Sequence, residues 1–223
     1  MCERFALYSS PEKIQSHFAT FDELELEPRY NIAPAQTVAV IRADETGKRM
    51  FTLARWGLIP SWVEDTDEMQ QPINAKAETA AIKPMFRHAY RTSRILIPAD
   101  AFYEWSQRDG KQPYLIKLKD DVPMGLGGLL ECRHGYEGAV MTFTILTIGA
   151  NANMLMSHIH DRMPVIIKPE DYNAWLDSKL TDVIKIQAMA QPYPERLMEA
   201  YPVSRNVNNP QYDAADLILP YQL

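Results

Sequence analysis

The sequence has few cysteines and lacks any long apolar run. Its two cysteines, Cys2 and Cys132, make no disulfide framework, so a reducing cytoplasmic compartment is expected. No stretch reaches the roughly 20 apolar residues that span a bilayer. The opening residues MCERFALYSS have no basic region followed by an apolar stretch, so no signal peptide is predicted. A GxSxG elbow and a Gly-rich phosphate loop are also absent, which argues against serine hydrolases and nucleotide-binding proteins.

The charge of the chain is acidic overall and basic in one segment. The 223 residues have a formal net charge of −6, which by itself argues against nucleic-acid binding. Acidic side chains concentrate at residues 22–27 and 64–68. Between Lys76 and Arg94, in contrast, five basic residues accompany one acid, Glu78. Such a cluster is either a phosphate-binding patch or a solvated helix face, and charge alone does not separate the two.

Many short elements with tight connections are predicted, because the 16 prolines are dispersed along the chain. Ser10 and Pro11 are typical of a helix start. The apolar, β-branched residues 37–42, the turn at Gly47 and the alternation at 49–56 indicate a hairpin. Strands and helices do not alternate as in a βαβ array. We therefore predict an α+β fold, a single domain over residues 1–223 with a curved antiparallel β-sheet or barrel core, short flanking helices and a cleft that contains the N-terminus.

The remaining strands and helices are predicted from hydrophobic periodicity and from turn residues. Further strands are predicted at 4–8, 93–97, 102–105, 114–119, 126–130, 140–148 and 163–167, and helices at 11–19, 75–81, 151–157, 169–177 and 183–190.

Cys2 has the most distinctive chemistry in the chain. Methionine aminopeptidase removes Met1 when the next side chain is small, and Cys2 would then have a free α-amine beside its thiol. The amine forms a Schiff base with an aldehyde, and the thiolate can add to the imine and close a thiazolidine ring. The amine and the thiol titrate at about 8 and 8.5, close to neutrality. Position alone also fits a small apolar residue near a chain end.

Three other residues have side chains suited to catalysis. The amide of Asn74, in INAKAETA, can orient a carbonyl or hydroxyl, although Asn is more common as a helix cap or turn residue. Glu104, in AFYEWSQ, is either a desolvated acid/base among aromatic rings or a surface residue between them. His160, in SHIHDRMP, is either a proton shuttle or a loop histidine bonded to backbone. A metal site with His158 is discounted, because no CxxC or metalloprotease helix accompanies it, and no cofactor is expected.

Six segments of the sequence resemble the SOS-response-associated peptidase (SRAP) family, in the order found in that family. The resemblance covers most of the first 167 residues, and the last quarter is weakly similar apart from YPVSRNVN at 201–208. The segments are MCERF, YNIAP at 30–34, RWGLIPSW at 55–62, INAKAETA at 73–80, LIPADAFYEW at 96–105 and IHDRMPVII at 159–167.

The resemblance implies a suicide sensor of abasic sites in single-stranded DNA. Cys2 would form a stable thiazolidine with the ring-opened sugar after an autopeptidase-like removal of Met1, in a hydrolase- or lyase-type reaction of the DNA-damage response. Asn74 would position the substrate and Cys2, Glu104 would transfer protons, and His160 would assist as acid or base. The implied DNA contacts are Arg4, Lys76 and Arg162 at phosphates, Trp56, Trp62 and Pro34 beside unstacked bases, and Asn31. We expect a monomer without an obligate protein partner or a membrane, in the cytoplasm and on the nucleoid when bound to DNA.

The sequence departs from the family pattern at three places. Glu3 follows the cysteine where Gly is usual, Lys76 replaces an Arg, and Gly149-Ala150 replace hydroxyl residues near DNA. A carboxylate at Glu3 repels a phosphate backbone, and Lys76 lacks the bidentate geometry of Arg. Two other functions fit the residues: an N-terminal-cysteine amidohydrolase or peptidase that acts on peptides or amides, and a non-catalytic module that binds single-stranded DNA.

Overall fold

The computed structural model describes residues 2–22, 25–63, 69–135 and 138–222. Met1, whose removal is predicted above, the acidic residues at 64–68 and part of the run at 22–27 lie outside the described residues. Within the described ranges, no helix is long and apolar enough to cross a membrane.

Thirteen strands and six α-helices form the described structure. The strands are β1 (Arg4–Leu7), β2 (Arg29–Ile32), β3 (Thr37–Ala43), β4 (Arg49–Trp56), β5 (Asn74–Lys76), β6 (Arg94–Ala99), β7 (Ala101–Trp105), β8 (Pro113–Leu118), β9 (Met124–Gly135), β10 (Gly138–Gly149), β11 (Arg162–Pro164), β12 (Ile166–Ile167) and β13 (Met198–Pro202). The helices are α1 (Pro11–Phe18), α2 (Ala77–Ala80), α3 (Arg87–Thr92), α4 (Met154–Ile159), α5 (Tyr172–Leu176) and α6 (Val183–Met189), with short 3₁₀ turns between them.

Five strands close into a barrel in the order β10–β4–β3–β6–β9, because β10 pairs with both β4 and β9. The predicted α+β class with a curved sheet is confirmed. The predicted antiparallel arrangement holds for most pairs, but β10 runs parallel to β4 and to β5. A strand that returns to the barrel after a long connection can meet its neighbour in either direction, and the residue pattern of each strand carries no information about that choice.

The barrel interior depends on a glycine where two strands approach closely. A Cβ atom on Gly128 in β9 would overlap Cδ1 of Ile97 and lie 2.8 Å from the backbone oxygen of Thr144. A side chain here would therefore force β6 and β10 away from β9. Gly in a strand interior marks such a close approach of other groups.

The second sheet has the order β13–β8–β7–β1–β2 and brings the start of the chain against the barrel. β1 pairs antiparallel with β7, so that Phe5 lies opposite Phe102, and both rings are buried in the main core. The turn after β6 is fixed by Asp100, whose carboxylate accepts hydrogen bonds from the backbone of Tyr8 and Ser9 at 2.6 Å each.

The N-terminal helix begins as its sequence predicts. Ser10 caps α1 by accepting the N–H of Lys13, and Pro11 occupies the first turn, where its missing N–H is not needed. Ile14 and Phe18, one turn apart, are buried against the core. The helix ends at Ala19, which adopts the left-handed conformation with φ 50°.

The segment 75–81, predicted as one helix, is divided between two elements. Asn74–Lys76 forms β5, which pairs with β10 so that Asn74 lies opposite Ile145, and only Ala77–Ala80 is helical. Pairing with β10 satisfies the backbone groups of this segment, so tertiary contact overrides the helix propensity of its alanines. The predicted strand at 163–167 is likewise divided into β11 and β12.

Arg94 stabilises the barrel and does not contribute to a basic surface patch. Its side chain is buried, 3% exposed. The guanidinium donates to carbonyl oxygens of Tyr90, Arg91, Trp175, Asp177 and Leu180. Burial lowers the pKa of Arg94 to about 10, so the group stays charged at neutral pH. The exposed cations of the segment 76–94 are Lys76, Lys83 and Arg87.

Candidate functional site

Cys2 lies at the entry of β1 and is fully buried. Its Sγ atom is 3.9 Å from the carbonyl oxygen of Arg4. The Nδ2 atom of Asn74 donates to the carbonyl oxygen of Cys2 at 2.8 Å, and the pairing of β5 with β10 holds Asn74 in this place. The Oδ1 atom of Asn74 is buried without a hydrogen-bond partner among the described residues, so it can accept one from a ligand.

Glu104 lies on β7, one strand away from Cys2, and is 1% exposed. The alternative of a surface glutamate between aromatic rings is therefore wrong. Burial raises the pKa of Glu104 to about 7, and the negative charge of Glu3 acts in the same direction. A carboxyl group with this pKa takes up and releases protons at neutral pH, which suits acid/base catalysis.

The thiol of Cys2 is protonated at neutral pH in this setting. Burial raises its pKa well above the usual range, and the charge of Glu104 raises it further. The thiolate is the nucleophilic form, so attack by sulfur requires that a neighbouring group first take the proton. The effect of Glu104 on the thiol pKa shows that the two side chains are near each other, and the pKa of about 7 makes Glu104 the candidate for that role.

His160 follows α4 and is held in the neutral form. Its Nδ1 atom accepts the backbone N–H of Arg162 at 3.0 Å and lies 2.9 Å from Oδ1 of Asp161. Burial lowers the pKa of His160 below its usual value. The neutral tautomer in which Nδ1 accepts this N–H has its proton on Nε2, whereas the contact with Asp161 favours the tautomer with the proton on Nδ1.

A cleft of about 520 Å³ brings Glu104 and His160 to one surface. Its described lining residues are Glu3, Glu104, Trp105, Ser106, Gln107, Lys111 and His160. Trp105 forms part of the wall and is fixed by its Nε1 atom, which donates to Oδ1 of Asn208 at 2.7 Å. Cys2 is buried beside this cleft, and the amide of Asn74 is hydrogen-bonded to the carbonyl oxygen of Cys2. The four predicted catalytic residues therefore lie close together.

The three cations predicted at phosphates have different partners. Lys76 is exposed. Arg4 is half-buried and donates to the carbonyl oxygen of Val207 at 3.0 Å. Arg162 forms two parallel bonds to Glu78, at 3.1 and 2.9 Å, so its guanidinium already holds an anion.

Arg162 and the backbone N–H of Gly149 form an anion site that the Glu78 carboxylate occupies. Residue patterns in the sequence do not reveal this site. Oε1 of Glu78 also accepts the backbone N–H of Gly149 at 3.0 Å, and Arg162 donates to both oxygens of Thr147. A phosphate that binds Arg162 through the same donors would take the place of the Glu78 carboxylate.

The residues predicted beside DNA bases are divided between surface and interior. Trp62 is 66% exposed, and Pro34 is partly exposed. Trp56 is buried and donates from Nε1 to the carbonyl oxygen of Ile73. Asn31 is also buried, and its amide donates to the carbonyls of Val207, Asn209 and Tyr212. Because both side chains are buried, Trp56 offers no surface to a base and Asn31 none to DNA, which corrects these two predicted contacts. Their hydrogen bonds instead join β4 and β2 to other segments of the fold.

Several cleft residues carry no sequence signal of their own. Trp105 is the last residue of the LIPADAFYEW segment but has no predicted role, and Gln107 and Lys111 lie in a polar connection that indicates only a loop. Pairing of β7 with β8 into a hairpin places these residues at the cleft. A predicted hairpin with its tip beside Glu104 would have been the signal to find them.

Comparisons with known proteins indicate one family by sequence and a shared fold by structure. A family model described as SOS response associated peptidase (SRAP) matches residues 1–210. Abasic site processing protein YoqW of Bacillus subtilis is 42% identical over 224 residues, which cover 98% of this chain and 99% of that protein. Abasic site processing protein YedK of Escherichia coli is 28% identical and covers 99% of this chain and 100% of its own length. A crystal structure from Bacteroides thetaiotaomicron has the same fold, with a TM-score of 0.87 at 22% identity over 99% of this chain and 100% of that chain.

Proposed function

Because the chain belongs to the SOS response associated peptidase family, we propose that it crosslinks itself to abasic sites in single-stranded DNA through Cys2. The names of its relatives support a role in abasic site processing. The observation that carries the finer proposal is the juxtaposition of a buried Cys2, an Asn74 amide bonded to its carbonyl, and a Glu104 whose pKa is about 7.

The proposed reaction needs no cofactor and no oxidant. After removal of Met1, the α-amine of Cys2 adds to the aldehyde carbon of the ring-opened abasic sugar, and a water molecule leaves as the imine forms. The sulfur of Cys2 then adds to the imine carbon, the thiol proton is transferred to the imine nitrogen, and a thiazolidine ring results. One carbon–nitrogen and one carbon–sulfur bond replace the carbonyl double bond, with water as the leaving group.

Each catalytic residue has a role that its surroundings support. Glu104 in its carboxylate form takes the thiol proton, and in its protonated form it donates to the departing hydroxyl and assists opening of the sugar ring. Asn74 holds the backbone of Cys2 and offers Oδ1 to the substrate. His160, in the tautomer with its proton on Nε2, donates to a sugar or phosphate oxygen at the cleft.

We propose that DNA contacts exposed side chains and two arginines that can exchange their present hydrogen-bond partners for phosphates. Lys76 and, after exchange of their present partners, Arg4 and Arg162 hold phosphates, while Trp62 and Pro34 pack beside unstacked bases. In the DNA-damage response such an adduct would shield an abasic strand. We propose that the protein acts as a monomer in the cytoplasm and on the nucleoid.

A gel assay with an abasic oligonucleotide tests the proposal. The wild-type protein is expected to give a heat-stable, shifted band, Cys2→Ala none, and Cys132→Ala the same band as wild type. Intact mass of the free protein must first show loss of one methionine residue, which establishes that the amine is free. No band from fully processed protein, or an adduct on another side chain, would contradict the proposal. Turnover of peptides or amides without an adduct would favour a hydrolase instead.

A further inference from the structure

Lys111 occupies a conformation that lysine rarely adopts. The hairpin of β7 and β8 ends in a tight turn in which the N–H of Gln112 donates to the carbonyl of Asp109 at 3.0 Å. The two central residues, Gly110 and Lys111, have φ of 57° and 58°. Both central positions of this type I′ turn are left-handed, and Gly is the ordinary residue at the second of them. Lys111 therefore has a side chain where the backbone favours none.

The loop that carries Lys111 is held in place on several sides. The Oγ atom of Ser106 accepts the N–H groups of Arg108 and Asp109, at 3.2 and 3.1 Å. Gln107 donates its N–H to the carbonyl of Ile159, the residue before His160. Arg205 donates to the carbonyl of Gly110 at 3.2 Å. The position of Lys111 at the cleft is thus fixed relative to His160.

The described lining of the cleft has two acidic side chains and one basic side chain, Lys111. Of the described lining residues, Glu3 and Glu104 are acids, His160 is held neutral, and Lys111 has the one permanent positive charge. A phosphodiester that approaches the cleft meets the exposed carboxylate of Glu3, and like charges at such distances repel. The ammonium of Lys111 has no hydrogen-bond or ion-pair partner within the part of the chain that the structure describes, so it is available to an anion.

We propose that Lys111 is a further DNA-contacting residue, which holds a backbone phosphate next to the abasic sugar and offsets the repulsion from Glu3. The proposal rests on the proposed function, since it takes the cleft as the place of the abasic nucleotide. A positive-φ lysine at a functional cleft agrees with the tendency of backbone strain to occur at such sites. A merely structural role would favour glycine.

Equilibrium binding without crosslinking separates the contact from the chemistry. In a Cys2→Ala background, the probe is a short single strand with one tetrahydrofuran abasic analogue, which has no aldehyde. We expect Lys111→Gln and Lys111→Gly to weaken binding roughly two- to tenfold at low salt and to reduce the slope of log K against log salt by about 0.7, the value for one phosphate contact on a single strand. Arg108→Gln, on the same loop but outside the cleft lining, is the matched control and should change affinity by less than about twofold.

Thermal unfolding of the same variants distinguishes a contact from a folding effect. Lys111→Gly removes the side chain from a left-handed position, so its melting temperature should be equal to or above that of the parent while its affinity falls. The inference is overturned if either Lys111 variant binds as tightly as the parent, if Arg108→Gln loses as much affinity, or if Lys111→Gly melts lower.

The two proposals fail in different assays. Absence of a covalent adduct from protein with an intact, processed Cys2 contradicts the proposed function. The affinities of the Lys111 variants and their parent can still be compared in that case. Unchanged affinity of the Lys111 variants contradicts this inference even when adducts form. Failure of the parent protein to bind the strand at all contradicts both.

Discussion

The closed barrel and the cleft beside β1 each bury an ionisable side chain, but only the one in the cleft titrates near neutral pH. In the barrel, the guanidinium of Arg94 donates to five surrounding carbonyl oxygens, and it stays charged at neutral pH. In the cleft, Glu104 is equally buried, and burial raises its pKa to about 7. A buried charge surrounded by fixed dipoles stabilises a fold, whereas a buried carboxyl that titrates at neutral pH provides proton transfer. We therefore expect the barrel to provide rigidity and, under the proposed function, the cleft to provide proton transfer.

The largest expected effect is on the cleft. Glu104→Gln keeps the size of the side chain but removes its proton exchange, so we expect crosslinking to slow by about 10²- to 10⁴-fold. Affinity for an abasic analogue should be unchanged or higher, because a negative charge is lost near DNA. Single-turnover gel assays and binding isotherms measure the two quantities. Equal crosslinking rates would remove Glu104 from the mechanism.

In the barrel, Arg94→Met tests whether a satisfied buried cation is structural. The variant keeps an apolar stem and leaves several buried carbonyl oxygens without donors, each costing about 1–3 kcal/mol, so we expect a loss of about 3 kcal/mol or more in the free energy of unfolding. Urea denaturation provides the measurement. The crosslinking rate per folded molecule should stay the same, and a selective loss of rate without loss of stability would contradict the assignment.

The pH dependence of the free energy of unfolding tests whether Glu104 titrates near neutrality in the folded protein. The pKa of Glu104 is higher in the folded protein than in the unfolded chain, so its stabilising contribution is full at low pH and is lost as pH rises through about 7. Between pH 5 and 8 we expect wild type to lose on the order of 2–3 kcal/mol relative to Glu104→Gln. Denaturation at several pH values checks this, and parallel curves would show that Glu104 titrates normally. His160, whose pKa is lowered, contributes equally to both proteins and cancels.

The smallest expected effect concerns the ion pair between Arg162 and Glu78. If DNA phosphate replaces Glu78 at Arg162, Glu78→Gln should raise affinity for single-stranded DNA by roughly two- to threefold at low salt, as expected for a half-exposed ion pair. Glu199→Gln is the matched control, since the Glu199 side chain is 43% exposed and paired with Lys117, against 44% for Glu78. Equal gains in both variants would indicate net charge alone, and a loss in Glu78→Gln would indicate a scaffolding role.

Local signals predicted much of the fold. The β3–β4 hairpin and the cap of α1 follow from alternation, Gly47 and the Ser10-Pro11 pair, all of which act within a few residues. The parallel pairing of β10 with β4 and the conversion of Asn74–Lys76 into a strand depend on partners far along the chain. Those partners, rather than propensity, decide where backbone hydrogen bonds form.

The candidate site was only partly predictable for the same reason. The amine and thiol of Cys2 and the acid/base character of Glu104 follow from residue type. The interior position of Trp56 and Asn31 does not, because a tryptophan or asparagine in a polar loop and one in a core have similar neighbours in sequence. The place of Lys111 at the cleft requires the closed β7–β8 hairpin, which sequence indicated only as two separate strands.

The contacts of Asn31 and Arg4 with the segment around Val207 have a consequence for biosynthesis. The side chains of Arg4 and Asn31, on the first two strands, donate to the carbonyl oxygen of Val207, which is translated 203 and 176 residues later. These two contacts therefore form only when nearly all of the described chain has been synthesised. Contacts between residues so far apart in sequence form slowly, so we expect the C-terminal segment to close over β1 and β2 late in folding.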